Sequence, residues 1–192
     1  MADFQKALEL TLRNEGSYVN NPLDRGGETI NGIARKWHPK WTGWPIVDRA
    51  KQEGMNVSSV MFLKQIRPLV SDFYDAEFWL PIRGDQIESQ PIANKLFDTA
   101  VNLSAIRAIT FLQSGLNALN RNGRLWQDIE EDGVMGPVTL AVLKRCIAEK
   151  REDGLLGLMV VEQGYHYMRI MRTDPEQEEF ALGWIRRLGI KV

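Results

Sequence analysis

The sequence has little of several residue types on which common kinds of site depend. It contains one cysteine, Cys146, so an internal disulfide is excluded, and we expect a buried structural thiol. The two histidines, His38 and His166, lie far apart and form no zinc-binding pattern with that cysteine. No apolar run reaches the roughly 18 residues of a membrane span. We therefore expect no metal, no other cofactor and no membrane span.

An excess of charge of either sign is also lacking. The chain has 24 Lys and Arg against 25 Asp and Glu, which gives a formal net charge of -1. Nucleic-acid binding requires a basic face, so this class of partner is not expected. The 192 residues are 44% hydrophobic and 26% charged, an ordinary globular composition that suits one or two domains. We expect a monomer.

Apolar spacing and capping residues, among them Ser58 or Ser59 and Ser104, predict a mainly α (α+β) fold. The predicted helices cover residues 2–15, 57–76 with an interruption near Pro68, 91–101, 104–119, 138–150 and 155–172. Residues 17–33 are rich in turn formers and predict a small hairpin or an ordered loop. In the segment 34–48, Pro39 and Pro45 are expected to break helical structure. The tail residues Phe180, Gly183, Trp184 and Ile185 are expected to pack back on the body of the protein. We predict two modules, 1–90 and 91–192, the second helical and packed against the first.

Two carboxylates and a hydroxyl stand out between residues 15 and 33. Glu15 ends the first predicted helix, Asp24 follows nine positions later, and Thr29 five positions after that. A helix-borne acid facing an acid on a loop suits glycoside hydrolysis, in which one carboxyl protonates the leaving oxygen. Partial burial of Glu15 would raise its pKa as that role requires. A surface glutamate, a turn aspartate and a strand threonine are the structural alternatives.

Several further side chains are candidates for sugar contacts. Gly26 and Gly27 would let the backbone approach a sugar closely, or would simply make the turn. Tyr18, three residues from Glu15, is the preferred stacking platform, and core packing is its alternative. Asp98 and Asn102 would point toward a cleft or would bond helix ends. The other aromatic candidates, for which core packing is again the alternative, are Trp37, Trp41, Trp44, Tyr74 and Trp79.

The segment from Asn14 to Ile33 resembles glycoside hydrolase family 108, which comprises N-acetylmuramidases of phage-endolysin and secretion-activator type. The resemblance rests on Asn-Glu-Gly-Ser-Tyr, then Asp-x-Gly-Gly-x-Thr, then Gly-Ile. Ser17 stands where glycine is usual in that family. The spacing Glu-x8-Asp-x4-Thr is also similar to the Glu…Asp…Thr triad of phage-type lysozymes, which has one more residue between Asp and Thr.

The second half resembles that family's companion module, a predicted peptidoglycan-binding domain. The matching segments are 97–102, 108–113, 132–139 and 183–187. The resemblance implies a lysozyme-like helical fold with a small β-hairpin near the active-site cleft. It implies that Glu15 is the catalytic acid, with Asp24 and Thr29 carried over by their motif positions. Peptidoglycan glycan strands are the implied partner.

The implied reaction is hydrolysis of the β-1,4 bond between N-acetylmuramic acid and N-acetylglucosamine. A lytic transglycosylase that uses Glu15 alone as acid and base is one alternative. A non-catalytic peptidoglycan-binding or secretion-associated protein is another. The N-terminal sequence lacks a signal-peptide pattern. We therefore expect synthesis in the cytoplasm and action on the cell wall or periplasm after export or holin-type release.

Overall fold

The computed structural model describes residues 1–12, 18–20 and 27–191 of the chain. These residues form mainly α-helix with one small antiparallel sheet, which confirms the predicted fold class. The backbone contacts divide the chain into two compact units. The first unit is Asp3–Pro81, and the second unit is Ile82–Val192 together with Met1–Ala2.

The first unit begins with helix α1, Phe4–Leu12. Its apolar side chains recur at helical spacing, so Ala7, Leu8 and Thr11 lie on one buried face. The sequence predicted a helix as far as residue 15, but positions 13–17 lie outside the described residues. The described part of α1 therefore agrees with the expected amphipathic helix.

A three-stranded antiparallel sheet follows, with the strand order β1-β2-β3. The strands are β1, Tyr18–Asn20, β2, Glu28–Ile30, and β3, Ile33–Ala34. Tyr18 pairs with Ile30, and Ile30 pairs with Ile33, so these three side chains share one face of the sheet. Ile30 and Ile33 are buried on that face, while Val19 and Thr29 lie on the opposite face. The sheet thus has a core side and an outer side.

The two residues Asn31 and Gly32 connect β2 to β3. Both have positive φ, 46° and 79°, as the two central positions of a type I′ turn require. Asn-Gly is the sequence that most favours this turn, because its twist matches that of the flanking strands. The hydroxyl of the buried Tyr74 donates to the carbonyl of Asn31 at 2.9 Å and fixes the turn in place.

Two further helices complete the first unit. They are α2, Trp44–Gln52, and α3, Val60–Tyr74, which continues as a π-helical turn, Asp75–Trp79. Ser59 caps α3, since its side chain accepts the backbone N–H of Phe62 at 3.3 Å. Pro45 lies in the first turn of α2, where a missing N–H costs no helical hydrogen bond. The expectation that Pro45 breaks a helix is therefore wrong.

The predicted interruption at Pro68 is also wrong, because α3 runs through this residue. Proline removes one helical hydrogen bond and crowds the carbonyl four residues earlier, here that of Lys64. Pro68 and Lys64 are exposed, whereas Ile66 and Val70 are buried on the opposite side of the helix. The Lys64 carbonyl therefore faces solvent, where water can bond it, and the buried side of α3 is undisturbed.

The second unit is helical. Its elements are α4, Gln90–Asn102, α5, Ala105–Leu119, α6, Pro137–Ala148, α7, Glu152–Thr173, a 3₁₀ segment, Pro175–Phe180, and α8, Ala181–Arg187. Ser89 caps α4 by accepting the N–H of Ile92 at 3.1 Å. The predicted cap Ser104 is confirmed, since it accepts the N–H of Arg107 at 3.2 Å. α4 and α7 both pack against α5.

A turn over residues 132–136 leads into α6 and is held by Gln113 of α5, which is 1% exposed. The Gln113 amide donates to Asp132 Oδ1 at 2.7 Å and to the carbonyl of Val134 at 3.2 Å, and its oxygen accepts the N–H of Gly133 at 2.9 Å. The hydrogen bond from Gln113 is the main cause that lowers the pKa of Asp132, and the hydrogen bond from the N–H of Val134 is the second cause. All these partners lie within the second unit, so the turn has a structural role.

The C-terminal segment packs on α7 through aromatic rings. Trp184 of α8 stacks on Tyr167, with ring centroids 4.8 Å apart and an interplanar angle of 15°. Phe180 extends the cluster at 6.2 Å from Trp184. The expectation that Trp184 packs back on the body of the protein is therefore confirmed within the second unit.

Candidate active site

Five of the predicted site residues lie in the described part of the chain: Tyr18, Gly27, Thr29, Asp98 and Asn102. The other three, Glu15, Asp24 and Gly26, lie outside it. The structure thus describes the end of α1, which precedes Glu15 in sequence, and the two strands that precede and follow Asp24.

Thr29 lies in the middle of β2, on the outer side of the sheet. It pairs with Val19 on β1 and Ala34 on β3, and its side chain is half-buried. Its hydroxyl lies 3.4 Å from the carbonyl of Gly27, which is long for an O–H···O hydrogen bond. This weak contact leaves the hydroxyl able to exchange its partner for a water or a sugar hydroxyl.

Gly27 brings the chain into β2 with a φ of +65°. This is the left-handed region that glycine adopts at little cost and other residues adopt at a penalty. An ideal Cβ built on Gly27 meets no atom of the described residues within 4 Å. The backbone conformation therefore requires the glycine, and no described residue fills the space beside it.

Tyr18 lies on the face of the sheet opposite Thr29, so the structure does not bring these two predicted residues together. Its hydroxyl donates to Glu28 Oε1 at 2.9 Å, and the Lys51 ammonium lies 2.9 Å from the same oxygen. Burial raises the pKa of Glu28, but the bonds from Lys51 and Tyr18 and the charge of Arg35 outweigh it and lower the pKa. Glu28 therefore stays ionised and is unsuited to act as a general acid.

Arg35 connects this strand carboxylate to α2. Its Nε lies 2.8 Å from Glu28 Oε2, and its two terminal nitrogens bond the oxygens of Asp48 at 3.1 and 2.6 Å. The guanidinium carbon also lies 4.2 Å from the ring centroid of Trp44. The bond to Asp48 is the main cause that raises the pKa of Arg35. The network joins the sheet to α2 and supports the strands that precede and follow Asp24.

The sequence analysis did not identify this network. Its partners are separated by 7 to 23 positions along the chain, and no local motif connects them. The one available signal is the alternation along β2, which directs Glu28 and Thr29 to opposite faces. This alternation places Glu28, the neighbour of Thr29, on the core side of the sheet, where a carboxylate can support the fold but cannot share the outer face with Thr29.

A cleft of about 320 Å³ lies beside the end of α1 within the first unit. Leu12, the last residue of α1, and Asn31 of the type I′ turn line it, and Lys64 and Arg67 of α3 supply positive charge. Positive charge in a concave site favours polar or anionic ligands. This cleft is the concave feature of the described first unit that adjoins both α1 and the sheet.

Asp98 and Asn102 lie on α4 and are held by partners within the second unit. Asp98 Oδ1 lies 3.5 Å from Arg187 Nε, and the two side chains are only 17% and 13% exposed. Asn102 Oδ1 accepts the hydroxyl of Tyr167 at 2.6 Å, and Tyr167 in turn stacks on Trp184. Burial raises the pKa of Tyr167 to about 12, so this hydroxyl stays protonated and donates.

The buried Gln163 of α7 completes this cluster. Its oxygen accepts the Lys95 ammonium at 2.5 Å, and its amide nitrogen donates to the hydroxyl of Tyr167 at 2.6 Å. Burial is the main cause that lowers the pKa of Lys95. The charge of Asp98 acts in the opposite direction, and the charge of Arg187 lowers the pKa further. The cluster orients Asp98 and Asn102 by bonds to their own unit.

The aromatic candidates divide sharply by exposure. Trp41, Trp44, Tyr74 and Trp79 are 8% exposed or less, so most of their ring surface is packed in the core. Trp37 is 67% exposed. Trp37 is therefore the one tryptophan of this set whose ring is open to solvent.

Two negative findings concern the described residues alone. Within residues 1–12, 18–20 and 27–191, no group of three or more His, Cys, Asp or Glu side chains is placed to hold a metal ion. Over the same ranges, no helix combines the length and apolar character that crossing a bilayer requires.

Two family models match the chain. Glycosyl hydrolase 108 matches residues 8–103, which is half of the chain, and the predicted peptidoglycan domain matches residues 107–189. The first match contains Glu15, Asp24 and Thr29. It also contains the segment 97–102, so the assignment of that segment to the companion module is corrected.

One solved structure is similar over most of its length. SagA from Brucella abortus aligns with a TM-score of 0.58 over 97% of this chain and 89% of that chain, at 23% sequence identity. At this identity the likeness shows a common fold. The comparison with curated proteins finds no significant match.

Proposed function

The chain belongs to the glycosyl hydrolase 108 family, and from that premise we propose that it is an N-acetylmuramidase that uses Glu15 as its general acid. The family makes it a glycoside hydrolase of peptidoglycan, with a second domain that binds peptidoglycan. The proposed reaction hydrolyses the β-1,4 bond between N-acetylmuramic acid and N-acetylglucosamine. The observation that carries the proposal is the family match over residues 8–103, which includes the whole Glu15, Asp24 and Thr29 set.

In this mechanism the Glu15 carboxyl protonates the glycosidic oxygen as the bond to the anomeric carbon breaks. Asp24 stabilises the oxocarbenium-like transition state or activates the attacking water. Thr29 lies on the outer side of the sheet with a weakly held hydroxyl, which supports a role in positioning that water. A separation of about 6.5–9.5 Å between the carboxyls predicts inversion, and about 5–5.5 Å predicts retention.

The sugar contacts are proposals of the same kind. The space beside Gly27, which no described residue fills, supports a close approach of the glycan to the backbone there, and Gly26 would share that role. Asp98 and Asn102 would contact the substrate from α4, in orientations that their bonds to Arg187 and Tyr167 maintain. The predicted contact of Tyr18 with the sugar would involve its ring, because its hydroxyl is engaged by Glu28.

The deciding test compares the fragments that wild type and Glu15→Gln release from purified peptidoglycan, by mass spectrometry. We expect wild type to release fragments with hydrated, reducing muramic-acid ends and Glu15→Gln to release none. Glu9→Gln is the matched control, since it makes the same change at an exposed carboxyl of α1 and should behave as wild type.

Other outcomes would reject the proposal in distinct ways. Anhydro ends would identify a lytic transglycosylase, and Asp24→Asn should then be nearly harmless. Binding to purified sacculi without any release by wild type would indicate a non-catalytic wall-binding protein. Full activity of Glu15→Gln would remove Glu15 from the mechanism.

A further inference from the structure

A second concave surface lies in the first unit, at a place that the proposed mechanism does not use. It is a cleft of about 490 Å³ between the segment 37–42 and the C-terminal end of α3 with its π-helical turn. We call it the tryptophan cleft. This volume lies within the roughly 300–1,000 Å³ that is usual for small-molecule sites.

The floor of the tryptophan cleft is a rigid aromatic surface. Trp41 is 8% exposed, and its indole N–H donates to the carbonyl of Leu69 at 3.3 Å. Its ring meets Trp44 edge-on at 5.2 Å and Phe73 edge-on at 6.4 Å. His38 also contacts Phe73 edge-on at 4.7 Å. Because these rings hold one another in place, a ligand would bind the floor without ordering it first.

Trp37 stands at the edge of this floor and is 67% exposed. The Lys36 ammonium lies 5.1 Å from the centroid of its ring. Leaving a tryptophan ring in water forgoes about 25 cal/mol for each Å² of apolar surface that burial would cover. An exposed tryptophan beside a preformed aromatic floor has the character of a binding anchor.

The rim of the cleft is polar and carries opposite charges on its two sides. Asp72 and Glu77, both exposed, come from α3 and the π-helical turn, and Lys40 comes from the facing segment. Neither carboxylate forms an ion pair with any residue in the described part of the chain. Carboxylates accept hydrogen bonds from hydroxyl and amide groups, and the lysine ammonium donates them.

We propose that the tryptophan cleft is a second glycan site, which binds one or two N-acetylhexosamine residues of a strand that is not being cut. A pyranose ring presents an apolar C–H face to an aromatic ring and places hydroxyl and acetamido groups around its edge. The aromatic floor and the polar rim match those two surfaces. The carboxylates disfavour polyanions such as phosphate polymers. The identity of the glycan rests on the proposed function.

The tryptophan cleft shares no lining residue with the cleft beside α1. None of its lining residues belongs to the sheet that carries Thr29 or to α1. No residue named in the proposed mechanism lines it. A second glycan contact on the catalytic unit would hold the enzyme on an insoluble wall between cleavage events, by raising the effective substrate concentration.

The test uses the full chain with Glu15→Gln, so that no cleavage disturbs binding, and the N-acetylglucosamine tetramer as ligand in a calorimetric titration. We expect a binding event that disappears, or weakens by about tenfold, when Trp37→Ala is added. Met61→Ala is the matched control, because Met61 is 72% exposed on α3 outside the cleft and should leave binding unchanged. Asp72→Asn should weaken the same event. Circular dichroism checks that each variant is folded.

Three results would overturn the proposal. The first is a titration of Trp37→Ala identical to that of its parent. The second is equal weakening by Trp37→Ala and Met61→Ala. The third is the absence of any binding of the tetramer by the Glu15→Gln parent. None of these depends on catalysis, so failure of the muramidase proposal in the fragment assay is distinguishable from failure here.

Discussion

Replacing Gly133 by alanine should destabilise the second unit strongly, whereas the same change at Gly136, three residues later, should not. Gly133 has a φ of +71°, and an ideal Cβ built on it lies 2.6 Å from Ile106 Cγ2 and 3.0 Å from the Ile106 carbonyl oxygen. Gly136 has a φ of -84°, and its Cβ would meet nothing within 4 Å. The two glycines thus lie in one turn, but only Gly133 has a backbone conformation and surroundings that disfavour a side chain.

The expected cost at Gly133 has two parts. Left-handed backbone costs an alanine about 1–2 kcal/mol, and forcing a methyl group into packed surroundings costs about 1–3 kcal/mol more. The Ile106 side chain can shift, but its carbonyl cannot do so without moving α5, so we expect a total of about 2–5 kcal/mol. For a chain of this size that lowers the melting temperature by roughly 4–20 °C. Gly136→Ala should stay within about 0.5 kcal/mol of wild type.

The assay is thermal unfolding of both variants and wild type, followed by far-ultraviolet circular dichroism. Hydrogen exchange at the N–H of Gly133 gives a local readout, because this group donates to the buried Gln113. We expect exchange there to become faster in Gly133→Ala and to stay unchanged in Gly136→Ala. Equal melting temperatures for the two variants would refute the reasoning, since they differ in backbone conformation and available space.

Two further predictions concern titratable groups. Glu28→Gln should cost about 1–2 kcal/mol at pH 7, because it removes the charge that Lys51 and Arg35 bind. The folded-state pKa of Glu28 is lowered, so this contribution is complete above about pH 4.3 and is lost as pH falls through the folded value. Melting temperatures of variant and wild type should therefore converge as the pH falls below about 4.3, and a constant gap would contradict the assignment. The buried thiol of Cys146, whose pKa burial raises to about 11, should resist a disulfide reagent at pH 8 until denaturant is added. Rapid labelling of the native protein would contradict its burial.

The features predicted correctly from the sequence are those that depend on near neighbours. Ser59 and Ser104 are recognisable caps, since each bonds a backbone N–H three residues ahead. Asn31 and Gly32 form a turn within the segment 17–33, for which the turn-forming residues predicted a small hairpin or an ordered loop. In each case the contact that decides the conformation joins residues a few positions apart in sequence. Residue type alone then determines which conformation has the lowest free energy.

The failures arise where the deciding contact is distant or depends on exposure. Pro68 is compatible with α3 because it faces solvent, and the sequence does not specify which side of a helix will be buried around a proline. Glu28 acquires its role from Tyr18, Arg35 and Lys51, which only the folded sheet and α2 bring together. The family resemblance supplied Glu15, whose sequence neighbourhood alone is that of many surface glutamates.

The motif Asp-Gly-x-x-Gly-Pro-x-Thr illustrates how a resemblance and a physical account complement each other. The sequence placed it in a peptidoglycan-binding module, and the match over residues 107–189 confirms that placement. In the structure, Asp132 and Thr139 both bond the buried Gln113. The motif residues thus build the turn that begins α6, so their role in this chain is to hold that turn.

The position of α4 limits where recombination could join one half of this chain to another protein. The glycosyl hydrolase match ends at residue 103, yet α4 folds in the second unit, where it packs on α5 and α7 with Leu96 and Phe97 fully buried. Recombination at residue 103, where the first family match ends, would separate α4 from α5 and α7 and would expose apolar surface on both products. We therefore expect the parts of the gene that encode the two family matches to be inherited together. A chimaera that keeps both parts folded must be joined near residue 82, before the helix, and not where the families meet.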